Sequence, residues 1–299
     1  MEVKMKIIGI DLGGTTIKAG LVDMNGNIRK KLVKATPDRS SAILEKIVSI
    51  IDELSLGENI LGIGMGSPGF IDSNKGQVLS YGGNINDWEW TNIREFLIEK
   101  YPNKIIAIEN DANVAALCEK WLGSGKNLKD FIMITIGTGL GGAIYTPKEG
   151  IWSGFNFQGG ELGHAILYPQ GRPCKCGQMG CVEKYVSGSA IEGEYQSLTG
   201  KQIKGQEIFK LYEEDENARK TVDNFSRNLA TYLISLRNIF DPQAIIIGGG
   251  LINSSKYWWD KMMVEFKESV NFNKIDILPA SYLNDSGIIG SAKMIVDRR

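Results

Sequence analysis

Two stretches of this chain share one form. KIIGIDLGGTTIKAGLVD (6–23) and FIMITIGTGLGGAIY (131–145) each run as a β-rich apolar segment, break on glycine, and resume as a second apolar segment. That pattern predicts a β-hairpin with a glycine-rich turn, twice over. AIIIGGGLI (244–252) begins the same way, and ILGIGMGSPGFID (60–72) reads as a strand ending in a Gly-Ser-Pro-Gly break. Helical patterns alternate with these at 40–54, 92–101, 111–123 and 222–240, the last stopping at Asp241-Pro242. Strand-rich block, helix, strand and helix, then the same again, predict a mixed α/β protein with two similar halves. The division is expected near residue 117. This gives a first domain over 1–117 and a second over 118–285, with a C-terminal helix (286–299) returning to the first.

The glycine turns suggest chemistry. Asp11, Gly13, Gly14, Thr15 and Thr16 make one, and Gly137, Thr138, Gly139, Gly141 and Gly142 the other. Glycine lets backbone N–H groups approach phosphate oxygens, and threonine hydroxyls add donors. An aspartate at the end of the first strand can hold Mg²⁺ through water. Lys18 either adds positive charge to this turn or pairs with Asp11. A tight hairpin turn without a ligand is the plainer reading of either cluster, but two clusters carrying threonine after a buried strand favour phosphate. The chain has no G-x-x-x-x-G-K-[ST], which excludes a P-loop enzyme. Residues 137–142 match G-x-G-x-x-G, yet Ala143-Ile144-Tyr145 continues as strand where a dinucleotide site needs a helix.

The only histidine, His164, lies upstream of Cys174, Cys176 and Cys181, three of the chain's four cysteines. One imidazole and three thiolates form a closed tetrahedral set that suits zinc. Gly177 and Gly180 allow the tight backbone that would aim neighbouring thiolates at one centre. The other reading is a disulfide with a spare thiol, which the odd count disfavours.

Asn110-Asp111 follows the short strand 105–109 and opens the helix 111–123. These residues cap helices well. Asp111 could equally accept a proton from a substrate hydroxyl, kept ionised by the helix N-terminus. Asn84, Glu161 and Glu183 lie in glycine-broken loops, and the two glutamates flank the zinc cluster, which would hold both on one rigid support.

These residues resemble the ROK sugar kinases over nearly the whole length. The resemblance rests on DLGGTTIK (11–18), GSPGFID (66–72), ENDANVAALCE (109–119), TIGTGLGG (135–142), GGELGH (159–164) and CKCGQMGCVEKY (174–185). It implies the actin/hexokinase-like duplicated fold, with its ribonuclease H-like motif and two domains around a cleft. Asp111 would be the general base acting on the sugar's primary hydroxyl. Asn84, Asn110, Glu161, His164 and Glu183 would bind other hydroxyls, so His164 would serve both zinc and sugar. Asp11 to Lys18 and Thr135 to Gly142 would hold the phosphates and Mg²⁺, with Gly248, Gly249 and Gly250 near adenosine. Zinc would be structural, since four protein ligands leave no open position. The family's glucokinases commonly carry N-L-P-G-W where this chain has Asn84-Ile85-Asn86-Asp87-Trp88, so the resemblance does not imply strict glucose specificity.

The expected activity is ATP-dependent phosphorylation of a hexose, with glucose first and N-acetylmannosamine second. The alternative within the family is a sugar-responsive repressor. Asp11 is reached after ten residues, too few for a helix-turn-helix, and a net charge of −1 does not suggest nucleic acid. No signal peptide or membrane-spanning stretch is evident, and a cytoplasmic homodimer is expected.

Overall fold

The computed structural model describes residues 5–80, 85–268 and 275–299. The chain separates into two compact units. One comprises Met1–Asn127, Ile151–Gly159 and Ser281–Arg299, and the other Leu128–Gly150 and Gly160–Ala280.

The first unit is built on a five-stranded sheet. In chain order its strands are β1 (Lys6–Leu12), β2 (Thr16–Asp23), β3 (Ile28–Ala35), β4 (Ile60–Ser67) and β7 (Ile105–Asn110). A separate small pair is β5 (Phe70–Asp72) and β6 (Gln77–Ser80). The sheet order is β3-β2-β1-β4-β7, with β1–β2 antiparallel and β1–β4–β7 parallel. Helix α1 (Ser40–Ser55) buries Ile43, Ile47, Ile50, Ile51 and Leu54 in the core that includes Ile8, Ile10 and Ile63. Helices α2 (Ile93–Lys100) and α3 (Asp111–Trp121) flank β7 in sequence.

The second unit repeats this plan. Its strands are β8 (Phe131–Ile136), β9 (Leu140–Thr146), β10 (Gly150–Ile151), β11 (Ala244–Gly248) and β12 (Asp276–Pro279), in the order β10-β9-β8-β11-β12. Again a hairpin, β8–β9, joins a parallel set, β8–β11–β12. Both expected hairpins are present, and the matching strand orders show the duplication that sequence similarity alone left unproven. The helices here are α4 (Gly188–Thr199), α5 (Gly205–Lys210), α6 (Glu216–Phe240) and α7 (Trp259–Glu268). Helix α6 starts six residues before the expected 222, because the Asp215 carboxylate accepts from the N–H groups of Asn217 (2.7 Å) and Ala218 (3.2 Å) and caps the helix there.

The last helix, α8 (Ser286–Val296), lies on the first sheet, with Ile288, Ala292 and Ile295 packed among Ile7, Val22 and Val114. Its backbone comes so close that a Cβ added at Gly64 of β4 would sit 1.9 Å from the Ser291 carbonyl oxygen. Ser291 also donates its hydroxyl to the Ile10 carbonyl (2.9 Å). Helix α3 packs on α8 as well, so the first unit runs on to Asn127, past the division expected near 117. Among the described residues no helix is long and apolar enough to cross a membrane.

Candidate active site

The residues singled out in the sequence fall into two groups, one in each unit. In the first unit, β1, β4 and β7 run parallel, with Asp11 opposite Gly66 and Ser67 opposite Asn110. The carboxyl ends of parallel strands are where open α/β sheets bind ligands. Asp11 ends up beside the turn Gly13–Thr16, which is closed by Gly13 N–H to the Thr16 carbonyl (2.9 Å) and braced by the Thr36 hydroxyl on the Gly13 carbonyl (2.7 Å). Gly14 and Thr15 are exposed at its tip. Lys18 lies opposite Asp11 across the hairpin, and its Nζ is 3.7 Å from Asp11 Oδ2. Of the two readings of Lys18, the ion pair is therefore present. Burial raises the Asp11 carboxyl above its usual value, and Lys18 works against that rise.

Asn110 and Asp111 stand where β7 turns into α3. Asn110 is the helix cap: its Oδ1 accepts from Ala112 N–H (2.8 Å) and Asn113 N–H (3.3 Å), while its amide donates to the Gly69 carbonyl (3.1 Å). The cap reading therefore holds for Asn110. Asp111 is the first helical residue. Burial pushes its carboxyl up to about 6 and the charge of Asp11 pushes the same way, opposed by N–H groups including that of Ala112. Its side chain keeps exposed surface, so water reaches it and screens part of this effect. Behind both residues, buried Glu109 accepts from Asn110 N–H (2.8 Å) and Asn113 Nδ2 (3.0 Å) and fixes the strand-to-helix turn. Nothing in the sequence distinguished this glutamate from a solvent-facing one. Asn84 lies outside the described residues.

In the second unit, β11 runs beside β8 with Gly248 opposite Thr135, so Thr135, Gly248 and Gly249 meet the turn Gly137–Gly139 at one end of the sheet. The segment after Glu183 holds that turn in place. Gly188 N–H donates to the Gly137 carbonyl (2.8 Å), and the Ser189 hydroxyl donates to the Thr138 carbonyl (2.8 Å). Leu140 N–H donates to Glu183 Oε2 (3.0 Å), and a Cβ at Gly139 would lie 2.4 Å from the same oxygen. Glu183 is thus bonded to the hairpin as well as set beside the cysteine knot. Gly137, Thr138, Gly188, Ser189 and Gly250 line one edge of a cavity of about 850 Å³. Lys204, Lys210, Lys256 and Tyr257 line it too. That size fits a nucleotide, and the lysines suit an anion. These residues come from the β8–β9 turn, the start of α4, the two ends of α5 and the 3₁₀ helix after β11 (Gly250–Tyr257), far apart in sequence and without a shared motif.

His164 ends one short 3₁₀ turn (Leu162–His164), preceded by Glu161, and Glu183 sits in another (Val182–Lys184) packed against it. The ligand atoms of His164, Cys174, Cys176 and Cys181 all lie within 4.8 Å of one another. Cys174 Sγ is 3.7 Å from His164 Nδ1, and Cys176 Sγ is 3.6 Å from Cys181 Sγ. Four tetrahedral ligands about 2.3 Å from zinc are separated by roughly 3.8 Å, so the donor set fits that ion in both chemistry and spacing. Gly177 (φ 92°) and Gly180 (φ 79°) both take the left-handed conformation the knot requires. All the cysteines are free thiols.

The family model described as the ROK family matches residues 7–298. The chain belongs to the ROK family. A glucokinase of Thermotoga maritima is 31% identical, covering 99% of this chain and 98% of its own length. A β-glucoside kinase of Listeria monocytogenes is 32% identical, covering 96% of each. A ROK glucokinase from Streptomyces griseus, solved with glucose and AMPPNP, superposes with a TM-score of 0.84 at 29% identity, covering 97% of this chain and 98% of that one. The duplicated sheets of this ROK protein are those of the actin/hexokinase-like fold.

Proposed function

We propose that this ROK protein is an ATP-dependent sugar kinase that phosphorylates the 6-hydroxyl of a hexose, with Asp111 as general base. The observation that carries this reading is the Asp111 carboxyl, raised to about 6 beside Asp11 at the carboxyl end of a parallel sheet. A base with that value is unprotonated at neutral pH, yet holds a proton better than an ordinary carboxylate. The sugar hydroxyl gives its proton to an Asp111 oxygen as its own oxygen bonds to the γ-phosphorus. The bond from that phosphorus to the β-γ bridging oxygen breaks, and ADP leaves.

ATP is assigned to the second unit, with phosphates at Thr135 and Gly137–Gly139 and adenosine toward Gly248, Gly249 and the lysine-lined cavity. The Gly13–Thr16 turn takes the transferring phosphate. Mg²⁺ arriving with ATP would offset charge on the phosphates, and Asp11 is the carboxylate to hold it, through water. Glu161, His164, Glu183, Asn84 and one amide N–H of Asn110 bind the remaining sugar hydroxyls. With Nδ1 of His164 turned toward the thiolates, Nε2 is the nitrogen available to sugar. Zinc is structural, and metal analysis of purified protein should find about one per chain.

Glucose is the first acceptor and N-acetylmannosamine the second, and the Listeria relative adds β-glucosides to the range worth assaying. The proposed setting is the cytoplasm, as a homodimer. ADP release measured against a panel of hexoses, N-acetylhexosamines and glucosides tests this. Turnover of one of them at a rate well above the ATPase background is expected, and background rates on all of them would overturn it.

A further inference from the structure

Glu183 is tied to its surroundings at both ends. Its side chain holds the phosphate turn, with Oε2 accepting from Leu140 N–H at 3.0 Å. Its backbone carbonyl accepts the hydroxyl of Ser187 at 2.7 Å. Ser187 is wholly buried. The same Oγ accepts from Ala190 N–H (3.1 Å) and so caps α4. Capping needs only an acceptor, and asparagine or aspartate serves as well. A hydroxyl has a proton to give besides, and here that proton goes to the residue whose carboxylate is assigned to sugar.

The two residues after Ser187 return to the phosphate turn. Gly188 N–H donates to the Gly137 carbonyl (2.8 Å). Ser189 donates to the Thr138 carbonyl through both its N–H (3.2 Å) and its hydroxyl (2.8 Å). These bonds close a ring. It runs from the Glu183 carboxylate to Leu140, back along the turn to Thr138 and Gly137, across to Ser189 and Gly188, and through the Ser187 hydroxyl to the Glu183 carbonyl. Every member lies in the second unit. The ring has little slack. A Cβ on Gly139 would lie 2.4 Å from Glu183 Oε2, and one on Gly188 would lie 2.9 Å from the Gly137 carbonyl oxygen.

On the kinase reading above, on which this inference rests, two ligands meet this one ring. Sugar takes the Glu183 carboxylate, and ATP places phosphates at Gly137–Gly139. A segment already ordered by one ligand costs less for the other to order, which tightens binding without any new contact. The effect is reciprocal by linkage.

We propose that Ser187 is a positioning residue that couples the two substrates. Its hydroxyl locks the sugar-binding glutamate to the phosphate turn, so that sugar and nucleotide each tighten the binding of the other. Ser187 touches neither substrate. It acts through Glu183 on one side and through Gly188 and Ser189 on the other.

The Kd of magnesium-AMPPNP and that of the sugar turned over fastest in the panel above should be measured by calorimetry, each alone and each with the other saturating. The proteins are the full chain, Ser187→Ala and Ser189→Ala. In the parent each ligand should lower the Kd of the other by the same factor, about fivefold or more, and in Ser187→Ala that factor should fall below about twofold. With sugar alone, deuterium uptake at Gly137–Leu140 should slow in the parent and not in Ser187→Ala. Loss of the cap also lowers Tm, and a purely structural serine would move Tm alone. Ser187→Ala with a lower Tm but the parent's coupling factor would therefore overturn the proposal. So would a parent whose ligands bind independently, or one whose turn exchanges at the same rate with and without sugar. Ser189 is exposed, so Ser189→Ala should fold as the parent does and decides the matter if Ser187→Ala fails to fold. A reduced factor there supports the ring, and an unchanged one overturns it. Background turnover on every sugar of the panel would overturn the kinase reading, and the coupling with it.

Discussion

At Asp111 the helix N-terminus, backbone N–H groups, burial and the charge of Asp11 all act on one carboxylate. Burial and Asp11 prevail, to about 6. A general base works only when unprotonated, so kcat/KM for the sugar should be flat near neutral pH and fall as pH drops through about 6. A profile with no acid limb above pH 5 would contradict the role. Asp11→Asn removes a negative neighbour, which favours ionised Asp111, so the limb should move to lower pH in whatever activity remains. Asp111→Asn should keep the fold and lower kcat by about 100- to 10,000-fold, checked by ADP release and a melting curve. The dual character of Asn110-Asp111 was legible in the sequence as cap or base. The structure divides it, giving the cap to Asn110. Glu109 was not legible, because burial is a property of what packs over a residue and no local pattern carries it.

Among the elements, the two glycine hairpins were readable because apolar runs and turn glycines are local signals. The brace on the second one was not. It consists of backbone bonds from Gly188 and Ser189 and a carboxylate bond from Glu183, all more than forty positions away in sequence. The brace makes a cross-effect testable. Gly139→Ala puts a methyl where the Glu183 carboxylate now sits, 2.4 Å from Oε2. The side-chain end can swing aside, but it then leaves Leu140 N–H and its proposed sugar contact together. The variant should therefore raise the sugar KM several-fold, about one hydrogen bond's worth, and lower Tm modestly, because the buried Leu140 N–H loses its partner. A change confined to the KM for ATP would show that Glu183 does not reach the sugar.

For the whole molecule, the equivalent sheet orders β3-β2-β1-β4-β7 and β10-β9-β8-β11-β12 are the largest feature the sequence could only suggest. Strand neighbours are chosen by pairing across long separations, and no local pattern in the sequence carries that choice. Close approach of α8 to the first sheet sets a limit on substitution there. Gly64→Ala meets a carbonyl at 1.9 Å, so the helix must move, and overpacking of this kind costs about 1–3 kcal/mol, to be read as a lower urea midpoint. An unchanged midpoint would mean that α8 is loosely held. The same helix has a consequence for biosynthesis. The first unit lacks its closing piece until residues 281–299 emerge from the ribosome, whereas every residue of the second has by then been made. The surface of Ile7, Val22 and Val114 thus stays uncovered through most of translation, and the half of the protein that begins first is the half that must wait longest to finish folding.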